Sequence, residues 1–301
     1  MSNFLTVAEL ADLLRIRPRK VYALVAAGEI PHRRAGARLI FDRQEIDAWL
    51  RGAGGPHQTA RQRPPAVIAG SHDPLLEWAV RASSAALALL TRGSRDGLGQ
   101  MIAGEACAAA LHFPPPPGEA GRAGGNVAEV DLVGSARHWT LLGWASRVQG
   151  LVVAAGNPLG IRAITDLART PELRIGRRQA GAGGRELFDQ LAQAAGLQAT
   201  LPSAGFVDGL TSEDEVGLAV REGRIDCGLA IESAAERHGL EFVPLVEEQL
   251  DLLVERGSYF DAPLQALFEF AASAQFRARA AALPGYSIAE LGRVRWNSAA
   301  S

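Results

Sequence analysis

The sequence predicts a small helical domain carrying a β-hairpin, followed by a larger α/β domain. Three observations predict this. Over residues 6–50, apolar residues recur at helical spacing in three short stretches, interrupted once by two strand-like segments around Gly36. Beyond residue 65, short apolar runs alternate with amphipathic helical stretches, the pattern of an α/β domain with mainly parallel strands. Charge is also divided unevenly: residues 1–63 hold 11 Lys and Arg against 6 Asp and Glu, whereas the remainder holds 20 against 27. A basic head on an acidic body is the asymmetry expected when one end meets a polyanion.

At 301 residues the chain is long enough for two domains. A composition of 48% hydrophobic and 21% charged residues is that of packed cores rather than disorder. Cys107 and Cys227 lie far apart in apolar runs with no CxxC or Cys/His cluster, so they read as buried, reduced thiols and not as a metal or redox site. The N-terminus lacks the pattern of a signal peptide and no run approaches the ~20 apolar residues of a membrane span. The expectation is a cytoplasmic protein with no membrane partner.

Residues 1–51 form the first expected domain. Thr6-Val7-Ala8-Glu9 is a capping box, and Leu10, Leu13 and Leu14 follow at helical spacing. Pro18 suits the first turn of a second helix, whose buried stripe is Val21, Leu24 and Val25 and whose stop is Gly28. Arg17, Arg19, Lys20 and Tyr22 fall off that stripe, near the N-terminal end that a recognition helix presents to the major groove. Segments 32–34 and 38–41 read as a β-hairpin wing bearing Arg33, Arg34 and Arg38. A second capping-box-like start at Asp42 and Glu45 opens a closing helix anchored by Ile46, Trp49 and Leu50. The string LTVAELADLLRIRPRKVYALVAAGEIPHRRAGARLIFDRQEIDAWL resembles the excisionase/MerR-like winged helix-turn-helix family over nearly every position. That resemblance implies binding to double-stranded operator DNA. Lys and Arg would contact phosphates, and Arg would also contact base edges.

Residues 52–65, rich in Gly and Pro, read as a linker, and 66–301 as the second domain. Buried strands are expected at 66–69, 87–90, 107–111, 151–154, 173–176, 227–231, 242–245 and 250–254. Helices are expected at 74–84, 97–104, 184–195 and 213–222. In open α/β sheets ligands bind where strands end and helix N-termini begin. Three such junctions carry suitable residues. Ser71, His72 and Asp73 follow the first strand; Gly93, Ser94 and Arg95 follow the second; Arg178, Gln179, Ala182, Gly183, Gly184 and Arg185 follow the strand at 173–176. Small residues admit a ligand close to the backbone, hydroxyls donate, and arginines suit an anion. Adjacent Ser71-His72-Asp73 spells a hydrolase triad, but such side chains must converge from distant positions, and no other nucleophile stands out. The expectation is that this is not an enzyme, and scattered histidines give no metal site. Segment 112–126, Pro- and Gly-rich, reads as a surface excursion.

The fragments GSHDPLLEW, RGSRDGLGQMIAGEACAAALH, RVQGLVVAAGNPLGIRAITDLA, RRQAGAGGRELFDQL, AVREGRIDCGLAIESAAERHGLEFVPLVEEQLDLLV and ALPGY are similar, in order, to the PBP-like domain. This is a type II periplasmic-binding-protein fold that occurs fused to DNA-binding heads. The resemblance implies two α/β lobes clasping a ligand, with crossovers near 147–153 and 244–254, and an effector such as molybdate or tungstate rather than a cofactor. Ala182 and Gly184 stand where the family commonly has Ser and Thr, so two hydroxyl donors are missing there, and Leu250 stands where the family commonly has Tyr. Together the resemblances imply a homodimeric one-component regulator that closes on a small oxyanion. Alternatives are a domain that senses an organic molecule, one that only dimerises, and an excisionase-like architectural protein.

Overall fold

The computed structural model describes residues 4–26, 30–35, 38–50, 63–114, 125–134, 137–169, 172–197, 201 and 205–298. Gly28, Gly36 and most of the expected linker lie outside them. The chain divides into two compact units, residues 1–62 and 63–301.

The first unit runs β1 (Phe4–Thr6), α1 (Val7–Leu14), α2 (Pro18–Ala26), β2 (Arg33–Ala35), β3 (Arg38–Asp42) and α3 (Arg43–Leu50). Thr6 caps α1 as its spacing to Glu9 requires: the Thr6 hydroxyl accepts the Glu9 amide, and the Glu9 carboxylate takes the Thr6 amide at 2.7 Å. At α3 only half of the expected box forms. Asp42 accepts the Gln44 amide at 2.8 Å, but Glu45 turns to Arg33 at 2.6 Å. The strands form an antiparallel sheet in the order β1-β3-β2, with Arg33 opposite Ile40 and Arg34 opposite Leu39. Leu5, Leu10, Ala11, Val21, Ile30, Phe41 and Ile46 make one closed core beneath it.

The second unit begins with β4 (Val67–Gly70), α4 (Pro74–Ala82), β5 (Ala88–Thr91), α5 (Ser94–Ala103), β6 (Ala108–Leu111), α6 (Gly125–Gly134) and β7 (Trp139–Val153). After a 3-10 turn at Ile164–Ala168 come β8 (Ile175–Arg178), α7 (Gly183–Ala194), β9 (Phe206–Leu210), α8 (Glu213–Arg221), β10 (Cys227–Ile231) and α9 (Glu232–His238). The chain then passes through β11 (Glu241–Glu255), α10 (Arg256–Tyr259), α11 (Ala262–Ala271), α12 (Ala274–Ala281), β12 (Tyr286–Ser287) and β13 (Val294–Asn297). Strand order is β5-β4-β6-β11-β7-β10-β8-β9, with β12 and β13 also on β7.

Two strands organise this unit. β7 and β11, each 15 residues, pair antiparallel along their whole length. The first half of β7 faces the second half of β11, which continues into β6; the second half of β7 pairs with β10. Each strand therefore belongs to two lobes. In the first lobe, Leu142 and Leu252 enter one core with Leu75, Trp144 and Phe276, while Leu141 and Leu253 enter another with Leu98 and Leu111. In the second lobe, Leu151 and Val153 pack with Ile175 and Phe188, and Val152 packs opposite with Val216 and Ile231. Successive side chains of one strand thus feed helices on both sides, which is why its apolar run does not alternate.

The structure departs from the sequence expectations at three points. The runs 242–245 and 250–254 are one strand, bent by register shifts at Pro244/Val246 and Leu250/Asp251, and the run at 151–154 is only the end of β7. The sheet is mixed rather than mainly parallel, because both long strands run antiparallel to their neighbours. At the ends of segment 112–126, His112, Phe113 and Asn126 are buried rather than on a surface excursion. The Asn126 amide donates to Leu111 O and Asp251, so the segment is tied into the first lobe at both ends. Residues 115–124 lie outside the described set. Cys107 and Cys227 are free and buried.

Candidate functional site

The first unit places its cations outward. α2 buries Val21 completely, and Arg19, Lys20 and Tyr22 project from its other side, with Arg17 exposed just before it. Arg38 is exposed at the start of β3. Arg33 is exposed but held by Glu45. The side chain of Arg34 lies outside the described set. Among the described residues no carboxylate is ion-paired with Arg17, Arg19, Lys20 or Arg38, so this face stays electropositive.

The second site is the seam between the two lobes. Every contributing loop follows the carboxyl end of a strand, as the sheet topology requires. From the first lobe, Ser71 and Asp73 follow β4, Gly93 and Ser94 follow β5, and His112 follows β6. From the second, Gln179, Ala182, Gly183 and Gly184 follow β8, and Glu213 follows β9. The long strands add Arg147, Gln149 and Glu248 from the middle of the fold.

Arg147 is the centre. It is fully buried; its Nη1 lies 2.9 Å from Asp73, Nη2 2.6 Å from Glu248 and 3.8 Å from Glu213, and Nη2 also meets His112 Nδ1 at 3.1 Å. Burial alone would lower the Arg147 guanidinium, but Glu248, Tyr286, Glu213 and Asp73 outweigh it and hold the group well above its usual value. Tyr286 donates its hydroxyl to Asp73 at 2.8 Å, and burial raises its pKa well above the ordinary tyrosine range. Arg178 sits 3.4 Å from Glu213 and donates to the Leu210 and Thr211 carbonyls. Burial pulls Arg178 below its usual value, yet an arginine remains cationic. Gln149 donates to both Glu213 and Glu248, and Glu213 also accepts the Ile231 amide at 2.8 Å. Two arginines therefore meet three carboxylates in one network that spans both lobes.

The lobes are closed on one another. A Cβ on Gly93, whose φ is +106°, would lie 2.5 Å from Gly181 O, and one on Gly183 would lie 2.2 Å from the His112 ring. Arg95 crosses the seam to Glu186 with two hydrogen bonds, at 2.6 and 3.1 Å. Among the described residues, a cavity of about 10 Å³ lies between His72, Glu213, Ile231 and Ser233, room for no more than one water. α5 and α7 begin at Gly93 and Ala182 without a side-chain cap, so two helix N-termini from opposite lobes face the seam.

The structure brings most of the sequence-selected residues to this seam, with exceptions. His72 lines the small seam cavity, but its ring is paired with Glu77 on α4. Arg185 turns to Asp208 and Asp189, away from Arg147. Asp73 is spent as the α4 N-cap and partner of Arg147. Ser71 and Ser94 bond each other at 2.7 Å, and Ser94 accepts the His112 amide. Sequence reasoning missed Arg147, Gln149, Glu213, Glu248 and His112. Their signal was present: Arg147 and Gln149 are long polar side chains two apart in a mostly apolar strand, and His112 follows a strand as Ser71 does.

The fold and this strand-end seam between two lobes define a ligand-binding domain of the periplasmic-binding-protein class joined to a DNA-binding head. The chain belongs to the PBP superfamily domain family, whose model matches residues 77–272, and a helix-turn-helix domain model matches residues 4–54. It is a DNA-binding regulator with a ligand-binding domain. YvgK, an uncharacterised protein of Bacillus subtilis (strain 168), is 27% identical over 96% of both chains. Among solved structures, a candidate phosphate ABC transporter substrate-binding protein with bound phosphate, from Clostridium perfringens, superposes with a TM-score of 0.54. It is 13% identical over 72% of this chain and 96% of that one, a likeness of fold. A tungstate ABC transporter structure from Geobacter sulfurreducens gives a TM-score of 0.47 at 10% identity, over 72% of this chain and 96% of the other. Among the described residues no helix is long and apolar enough to cross a membrane.

Proposed function

We propose that the chain is a one-component transcriptional regulator. It binds operator DNA as a homodimer through α2 and the β2–β3 wing, and senses a small oxyanion between its lobes. The observation that carries the ligand reading is the meeting of two uncapped helix N-termini, from opposite lobes, beside the buried Arg147 and Arg178. An anion there would add contacts to both lobes at once, so it would favour one interlobe arrangement over others, the condition for coupling to the DNA-binding heads. The exposed cations of α2 and β3, unpaired among the described residues, support the DNA reading.

Thermal unfolding with inorganic phosphate, sulfate, molybdate and tungstate tests the ligand. A ligand at 100 times its Kd stabilises by about 2.7 kcal/mol, a rise of roughly 5–10 °C for a domain of this size. Gel retardation on DNA flanking the gene, with and without the stabilising anion, tests the coupling. A second reading has its own support. The seam is filled by the protein's own ion pairs, as in a domain that closes without an effector and serves dimerisation. No stabilisation by any of the four anions, with DNA retention intact, favours that reading and overturns the first.

A further inference from the structure

We propose that His112 is a specificity-determining donor of the seam, giving its Nε2–H to one oxygen of an anion held between the N-termini of α5 and α7. This rests on the anion reading above and adds to it the identity of one recognising atom.

A guanidinium can only donate, so the 3.1 Å contact from Arg147 Nη2 makes His112 Nδ1 an acceptor. In the neutral ring the proton then sits on Nε2. The ring is neutral across the physiological range, because burial and then the charge of Arg147 push its pKa down to about 3. Glu213 and Asp73 act the other way and Arg178 adds to the lowering. His112 is 4% exposed, and its Nε2 has no hydrogen-bond partner among the described residues. A buried donor of this kind is costly to leave unmade.

That donor faces the first residue of α7: a Cβ on Gly183 would sit 2.4 Å from Nε2. The same histidine is tied to the start of α5, since its amide donates to Ser94 Oγ at 3.0 Å. Gly93 packs on Gly181 O, so both helix starts adjoin one another. Glu213, whose charge acts on the ring, is already engaged by Arg178, Gln149 and the Ile231 amide. When the lobes part, the group uncovered between the two N-termini is a neutral N–H. It adds a hydrogen bond without adding charge, so it selects for an acceptor oxygen at one place rather than for total charge. The ligand class is a small oxyanion, as in the anion reading above.

Titration calorimetry with inorganic phosphate and with molybdate tests this on the full chain. His112→Asn places an acceptor near Nδ1 but has no distal donor; His112→Gln carries an N–H near Nε2. Asparagine should weaken binding about 10- to 100-fold, the range for a lost hydrogen bond to a charged partner, and glutamine should recover most of it. Equal binding by His112→Asn and the parent overturns the proposal, as does equal loss in both variants, which would mark a packing role. Absence of binding by the parent chain overturns the anion reading and this inference with it; failure in the variants alone sinks only the role of His112. If a variant does not fold, nitrogen-15 histidine spectra of the parent decide: the protonated Nε2 signal should move on anion addition, and a stationary signal overturns the assignment.

Discussion

In the first unit Arg17, Arg19, Lys20 and Arg38 are exposed and, among the described residues, unpaired; in the second, Arg147 and Arg178 are buried among carboxylates. The exposed set costs little to keep, because water solvates it until a polyanion replaces that water. The buried set repays its desolvation only through its partners. The same residue type is thus an offered charge in one unit and a tie between elements distant in sequence in the other. Sequence charge counts record only the first use, because the second sums to nearly nothing.

The largest test of this contrast is Arg147→Ala, which leaves Asp73, Glu213 and Glu248 buried without their shared cation. It should destabilise the second unit by about 3–5 kcal/mol, read as the denaturant midpoint; an unchanged midpoint would erase the distinction. A pH series sharpens it. The folded pKa of His112, about 3, lies below its ordinary 6.5, so the unfolded chain protonates first as pH falls. The stabilisation is whole above pH 6.5 and is lost at about 1.4 kcal/mol per unit toward pH 3. Relative to His112→Gln, which does not titrate, the parent should lose about 2 kcal/mol by pH 5 in denaturant titrations. In the first unit, Arg19→Ala with Lys20→Ala should leave the melting temperature in place but flatten the salt dependence of DNA retention by about two in log–log slope. The smallest effect belongs to Arg95→Ala. The Arg95 side chain is 55% exposed, and its pair with Glu186 is worth at most about 1 kcal/mol by thermal unfolding.

The head was legible because its signals are local. Thr6 and Glu9 are three residues apart, Pro18 opens its own helix, and Val21 lies on the stripe that fixes the face left to Arg19 and Lys20. The α/β character and the strand-end loops at Ser71, Gly93 and Gly183 were legible for the same reason. The network was not. Arg147 meets Asp73 across 74 residues and Glu248 across 101, and no short window contains both partners. Glu213 looked like one more acid in the first turn of a helix, a position where carboxylates are common for dipole reasons alone. β11 was divided in the reading because Glu247, Glu248 and Gln249 interrupt its apolar run at the point where it passes from one lobe to the other.

The long β7–β11 ribbon, bulged at two points, also limits how this protein can change in length. Strand side chains repeat every two residues, so deleting one residue near Gln149 would turn Leu151, Val152 and Val153 onto each other's faces and exchange the inner and outer packing of an entire lobe. Loops can lengthen or shorten by single residues at small cost. Away from its two bulges, where Leu245 and Trp144 are the extra residues, the ribbon tolerates changes only in pairs, which makes it a fixed ruler against which related sequences can be aligned.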